Sequence, residues 1–318
     1  MKNKEILYSE LLNIFLKQSE KTVKESSLST FSYLIEKHIR PALGDIPVND
    51  FSSETVQNFI FKIMEKEKSK GRGKFAIKSI KDVVTLIKVS INFGIRMGIM
   101  ENIALKYKIP FKINRKKIEI FNIMEQRMLF EYLYENISFR NVGIILSLTA
   151  GLRIGEVCGL KWKDIDFYEN TLYVRRTVQR IYVNNGNFKG SKIIISAPKS
   201  EKSIRILPLG KELINILQTF KNNDEIFILT GKDRPTEPKI YREYYYNVLK
   251  KLNIKKLSYH SLRHAFATSA IENGTDYKTV SEILGHSSIN ITLETYVHPQ
   301  MKQKKKCIEN MFNTLKKQ

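Results

Sequence analysis

Residues 259–299 read YHSLRHAFATSAIENGTDYKTVSEILGHSSINITLETYVHP, and the rest of the chain is organised around them. His260, Arg263 and His264 stand at i, i+3 and i+4, which puts two imidazoles and a guanidinium on one helical face. Leu262, Phe266, Ala267 and Ala270 form the opposite, apolar face and read as core. Gly285 ends a second helix in the left-handed conformation, so His286 just beyond it is exposed and positioned. Tyr296 follows ten residues later. Arginine does not ligate metals, and neither HExxH nor a carboxylate pair accompanies the histidines, so the trio suits a phosphate better than zinc. A purely structural helix is the alternative, with His264 as the residue that fits it best. A phosphate grip with a phenol beside it is the equipment of a site that attacks a phosphate covalently.

Composition says what kind of partner such a site serves. A formal charge of +22 favours polyanions, of which nucleic acid is the commonest. The alternative is a generally Lys-rich surface that serves solubility. A chain of 318 residues has room for two domains with real cores. Cys158 and Cys307 lie far apart without ligand spacing, so no disulfide framework and no metal site is expected, which fits a reducing, cytoplasmic setting. The N-terminus is amphipathic and charged, unlike a signal segment. The apolar run around Val142 to Ala150 is too short to span a bilayer, so no membrane association is expected.

The N-terminal third reads as helices. Ile6, Leu7, Leu11, Leu12, Ile14, Phe15 and Leu16 make a stripe, and Ser26 to Thr30 cap a second helix that is expected to stop at Arg40-Pro41. Asp50 to Glu54 start a third helix running to about Lys68, and a fourth spans about Phe75 to Met97. The glycine-bearing loop between them carries Lys70, Arg72 and Lys74, cations for a phosphate backbone or only a solvated turn. Residues 106–118 contain Pro110 and no helical period; Arg115, Lys116 and Lys117 make this a basic linker able to track DNA, or a simple hinge. The expected domains are thus 1–105, helical; 106–118, linker; and 119–318.

The last part reads as helices around a small sheet. Helices are expected from Asn122, over Val142 to Thr149, from Gly210 to Phe220 and from Tyr241 to Leu252. Thr171–Val174, Lys192–Ile195 and Ser203–Ile206 alternate like strands of one antiparallel sheet of about three strands. The fold class is therefore mainly α with a small antiparallel β-sheet. Gly151 allows a sharp turn from which Arg153 projects, suited to a phosphate or to a pair with Glu156 three residues on. Lys199, between Pro198 and Ser200, is placed at a hairpin tip, either reaching into a groove or merely solvated.

These motifs together resemble the tyrosine recombinases of the phage integrase family. Ala-Gly-Leu-Arg153-x-x-Glu156, Lys199, His260-x-x-Arg263-His264, Leu-Gly-His286 and Tyr296 stand in that family's order and spacing. The N-terminal helices, with Ile39-Arg-Pro-Ala-Leu-Gly-Asp-Ile46, are similar to its SAM-like core-binding domain. Ala150, Gly155 and Ser261 depart from commoner family choices. The resemblance implies an N-terminal helical bundle, an α+β catalytic domain, and strand transfer on double-stranded DNA at attachment or core sites. Tyr296 would be the nucleophile, leaving a 3′-phosphotyrosyl link with no metal, ATP or other cofactor. Arg153, Arg263 and His286 would hold the phosphate, Lys199 would protonate the leaving oxygen, and His260 would take the nucleophile's proton. Glu156 and His264 would support them. It further implies a homotetramer on DNA, a C-terminal helix packing in trans, and an accessory directionality or DNA-bending factor. Little chain precedes the first helix, too little for the arm-binding domain many such integrases carry. The neighbouring readings are a Xer-like chromosome-dimer resolvase, a type IB topoisomerase, and a DNA-binding protein without strand chemistry.

Overall fold

The computed structural model of the protein describes residues 6–69, 77–109, 119–184, 189–198, 203–296 and 301–316. The chain divides into two units, Met1–Lys117 with Ile181–Lys192, and Ile118–Arg180 with Ile193–Gln318.

In the first unit, α1 (Tyr8–Thr22) turns Leu11, Leu12 and Phe15 inward, while Ile14 stays 41% exposed on the other side. It packs with α2 (Glu25–Leu34), α3 (Arg40–Leu43), α4 (Ser53–Ser69) and α5 (Ile77–Arg96) around Ile35, Ile39, Phe59, Ile60, Val83 and Ile87. The expected stop at Arg40-Pro41 does not occur. A single π-turn over Ile35–Ile39 runs straight into α3, with Pro41 in its first turn. The wider turn relieves the clash of the proline ring with the preceding carbonyl, and a first-turn proline needs no intrahelical N–H bond. Residues 101–109 then run as a strap along α4. Ser53 Oγ accepts from Lys106 N at 2.8 Å and Gln57 Oε1 from Lys108 N at 2.8 Å. Ile103, Leu105, Tyr107 and Ile109 lie against the core at every second position, the period of extended chain.

The second unit begins at α6 (Ile123–Glu135), where Asn122 and Glu125 form a reciprocal capping box. The apolar α7 (Phe139–Ala150) is buried almost throughout and ends at Gly151, whose φ is +67°. A side chain there would also collide with Leu284 and Phe266, so both backbone and space demand glycine. After α8 (Ile154–Cys158), strands β1 (Ile165–Asp166), β2 (Thr171–Val174) and β5 (Arg205–Pro208) form one antiparallel sheet in the order β1-β2-β5. β3 (Thr177–Asn184) and β4 (Lys189–Ser196) form a separate two-stranded ribbon. The expected single sheet is therefore split, because Lys192–Ile195 pairs with β3 and not with its two expected neighbours. Helices α9 (Lys211–Thr219), α10 (Pro238–Lys251), α11 (His260–Glu272), α12 (Tyr277–Leu284), α13 (Ile289–Tyr296) and α14 (Met301–Lys316) complete the chain. Among the described residues no helix is long and apolar enough to cross a membrane.

Candidate active site

The site forms where α7, α8, β5, α11 and α12 present their ends to one another. Helix α12 ends in a Schellman turn, with Gly285 at φ +62° and His286 N donating to Ser281 O at 3.1 Å. Its last carbonyls have no partner inside the helix, and the helix dipole makes them partly negative. Three arginines reach three successive ones. Arg205 Nε donates to Ile283 O at 2.5 Å, Arg263 Nη2 to Leu284 O at 2.5 Å, and Arg153 Nη2 to Gly285 O at 3.4 Å.

Each arginine is tied elsewhere as well. Arg263 is 1% exposed and donates through Nη1 to Gly151 O at 2.8 Å, joining the end of α7 to the end of α12. Arg153 is the N-cap of α8 and donates through Nη1 to Glu156 Oε1 at 2.7 Å. The ion pair weighed as an alternative for Arg153 thus exists, yet the guanidinium remains about one-third exposed toward the site. Arg205 takes both oxygens of the same carboxylate, Nη1 to Oε1 at 3.1 Å and Nη2 to Oε2 at 3.0 Å. Burial pushes the Glu156 carboxyl upward, but Arg205 and then Arg153 override it and hold the group below its ordinary range. Arg153 and Arg205 share one carboxylate and Arg263 adds a third guanidinium at the same helix end, which leaves the cluster positive and suited to an anion.

The histidines feel that charge. Loss of hydration, then His264, Arg263 and Arg153, lower His260 from 6.5 to about 4. Loss of hydration, then Arg263, Arg153, His260 and Arg205, bring His286 to about 4. Both are neutral near pH 7 and each can take or give one proton. His264 is buried, and its ring meets that of His260 edge to face at 4.5 Å between centroids. Its place is beneath His260. His286 Nδ1 lies 2.8 Å from Thr292 Oγ1, and Thr292 is fully buried in α13. Tyr296 ends α13, four residues after Thr292; its side chain lies outside the described residues.

Arg153 and His260 open onto a cleft of about 550 Å³, lined also by Thr177, Arg180, Lys239 and Arg242. Arg180 is held by Glu237, whereas Lys239 and Arg242 are exposed one turn apart on α10. Among the described residues no three His, Cys, Asp or Glu side chains gather as a metal would require.

The structure therefore brings together Arg153, Glu156, His260, Arg263, His264 and His286. Lys199 lies outside the described residues, as do Lys70, Arg72, Lys74, Arg115, Lys116 and Lys117. The strands before and after Lys199, β4 and β5, belong to different sheets. Two members of the site were not read from sequence, Arg205 and Thr292. Arg205 had left a signal, because it shares the inward register of its strand with Leu207 and Leu209. Thr292 had one too, one helical turn before Tyr296.

The profile of the Phage integrase family matches residues 122–303, and that of the phage integrase N-terminal SAM-like domain matches residues 7–64. A tyrosine recombinase XerC-like protein of Caldanaerobacter subterraneus subsp. tengcongensis is 28% identical over 298 residues, 85% of this chain and 73% of that one. The ICEBs1 integrase of Bacillus subtilis is 23% identical over 328 residues, 99% of this chain and 85% of the other. The solved structure of the Tn1549 transposon integrase in complex with a circular intermediate DNA aligns with a TM-score of 0.74 at 20% identity, covering 96% of this chain and 99% of that one. At that identity the likeness is one of fold.

Proposed function

The chain belongs to the phage integrase family, and from that premise we propose that it breaks and rejoins double-stranded DNA at specific sites through Tyr296. The observation that carries this reading is the gathering of Arg153, Arg263 and His286 at the end of α12, with Arg153 and His260 facing one cleft and α13 hung from His286 and ending at Tyr296.

Tyr296 Oη attacks the scissile phosphorus as its proton passes to neutral His260. The bond to the 5′-oxygen breaks, and Lys199 supplies the proton that oxygen needs. A 3′-phosphotyrosyl link and a 5′-hydroxyl result, and attack by a second strand's 5′-hydroxyl reverses the steps. The bond energy stays in the link, so the reaction needs no ATP and no metal. Arg153 and Arg263 neutralise charge growing on the non-bridging oxygens. With the Thr292 hydroxyl donating to Nδ1, His286 keeps its proton on Nε2 and donates it to the same oxygens.

Lys239 and Arg242 line the cleft beside the reacting phosphate and fit its neighbours along the strand. Lys70, Arg72, Lys74, Arg115, Lys116 and Lys117 are proposed to take more distant phosphates. The working form is a homotetramer on two duplexes in the cytoplasm, aided by a directionality or DNA-bending factor. Helix α14 exposes Ile308, Met311, Phe312 and Leu315 by 61–73%, a face suited to packing on a neighbouring copy.

Integration or excision of a mobile element is the preferred role. A chromosome-dimer resolvase is the second, favoured by the XerC-like relative. Nicked duplexes tiled across the DNA flanking the gene, resolved on denaturing gels, test the chemistry. A covalent adduct that requires Tyr296 is expected, and its absence on every duplex refutes the strand-transfer reading. An attachment repeat beside the gene would separate integrase from resolvase.

A further inference from the structure

Strand β5 carries an arginine on its buried face. Arg205 faces inward and is 9% exposed, while its neighbours Ile204 and Ile206 face outward, 53% and 56% exposed. Leu207 fills the same inward register as expected, but hydrophobic burial disfavours an arginine there with isoleucines left outside. The inward arginine must therefore be retained for what it holds. Its fork spans both oxygens of Glu156, its Nε takes the Ile283 carbonyl, and Nη1 also reaches Ser203 O at 3.3 Å. These bonds all go to protein groups, which leaves Arg205 outside direct contact with a substrate.

What Arg205 holds are the supports of other residues. Glu156 bonds the Arg153 guanidinium through Oε1 and the Arg153 backbone N–H through Oε2 at 2.9 Å. Ile283 lies three residues before His286, at the start of the turn that aims the imidazole. One planar group thus connects the base of Arg153 to the base of His286, from a strand 49 positions after one and 78 before the other. We propose that Arg205 is a positioning residue that locks the Glu156–Arg153 pair and the α12 terminus into one rigid phosphate seat. The inference rests on the strand-transfer reading above.

Arg205→Lys separates positioning from charge. An ammonium keeps the positive charge but cannot span a carboxylate and a carbonyl as a planar fork does. The lysine variant is expected to keep its thermal midpoint within a few degrees, and its affinity for the nicked duplexes within about twofold, because most binding comes from other phosphate contacts. Its single-turnover rate of adduct formation at saturating DNA is expected to fall about 10–100-fold, the effect of a reacting group misplaced by about an ångström. Glu156→Gln is expected to show a similar loss, and the double variant little more than either alone, since both changes break one linkage.

A wild-type rate in Arg205→Lys overturns the proposal, and so do losses that multiply in the double variant. Parallel loss of affinity, rate and thermal midpoint would mark a merely structural arginine. Should Arg205→Lys fail to fold, Glu156→Gln decides alone, and a wild-type rate there also overturns the proposal. A wild-type protein that forms no Tyr296-dependent adduct removes the strand-transfer reading and this inference together, whereas a normal wild-type adduct with insensitive variants removes only the inference.

Discussion

His286 and Thr292 are joined at 2.8 Å between Nδ1 and Oγ1, so the helix that ends at Tyr296 is moored to the histidine beside the arginines. The bond ties the ring of His286 to α13. Thr292→Val keeps the shape and removes the hydroxyl. Adduct formation is expected to slow by up to about tenfold, the worth of one net hydrogen bond. Unchanged single-turnover rates in that variant would show that the bond has no part in the chemistry.

Tyr296→Phe is expected to bind DNA as the wild type does and to form no adduct, since only the attacking oxygen is lost. A persisting adduct would move the nucleophile elsewhere. Of the neighbouring tyrosines Tyr244, Tyr245 and Tyr246, the first two are poor heirs. Tyr245 is fully buried, with burial raising its phenol well above the ordinary range, and Tyr244 is bonded to Asn141 Oδ1 at 2.6 Å.

Arg263→Ala should lose rate far more than DNA affinity, because one phosphate contact among many adds little to binding. The structure adds a second consequence. The carbonyls of Gly151 and Leu284 lose their donor in the interior, which is expected to lower stability by about 1–3 kcal/mol. Urea unfolding alongside the adduct assay separates the two effects. Equal losses of rate and affinity would count against a role in the transition state.

Gly151→Ala is expected to destabilise by about 1–3 kcal/mol, from the left-handed backbone together with overlap at Leu284 and Phe266. The same overlap would displace α12 and with it His286. Urea unfolding measures the first effect and adduct rates the second; a fully stable alanine variant would contradict the close packing described.

Acid should loosen the site. His260 and His286 are held at about 4 in the folded chain, below the ordinary 6.5. A lowered histidine contributes stability above pH 6.5 and loses it as pH falls toward 4, because the unfolded chain takes up the protons first. The denaturation midpoint is expected to drop across that window. Replacing both histidines by Gln should flatten this part of the curve. An equally steep drop in the double variant would assign the effect to other groups.

Much of the molecule was legible because its signals are local. The helix start at Asn122, the stops at Gly151 and Gly285, and the spacing of His260, Arg263 and His264 each span a few residues. Where local rules misled, a longer-range arrangement had prevailed. Pro41 is carried inside a helix by a π-turn, and Lys192–Ile195 pairs with β3 while β2 pairs with β5.

By itself, the order of residues determined the helices, their caps and the identity of the charged and aromatic groups, since these depend on neighbours within about one turn. Only the tertiary structure decided which of those groups meet. Arg205 reaches Glu156 across 49 positions and Ile283 across 78, and Arg263 reaches Gly151 across 112. Such pairings follow from the packing of whole elements, where register and burial are settled together. An inward arginine on a short strand acquires its role from the helix end that arrives beside it.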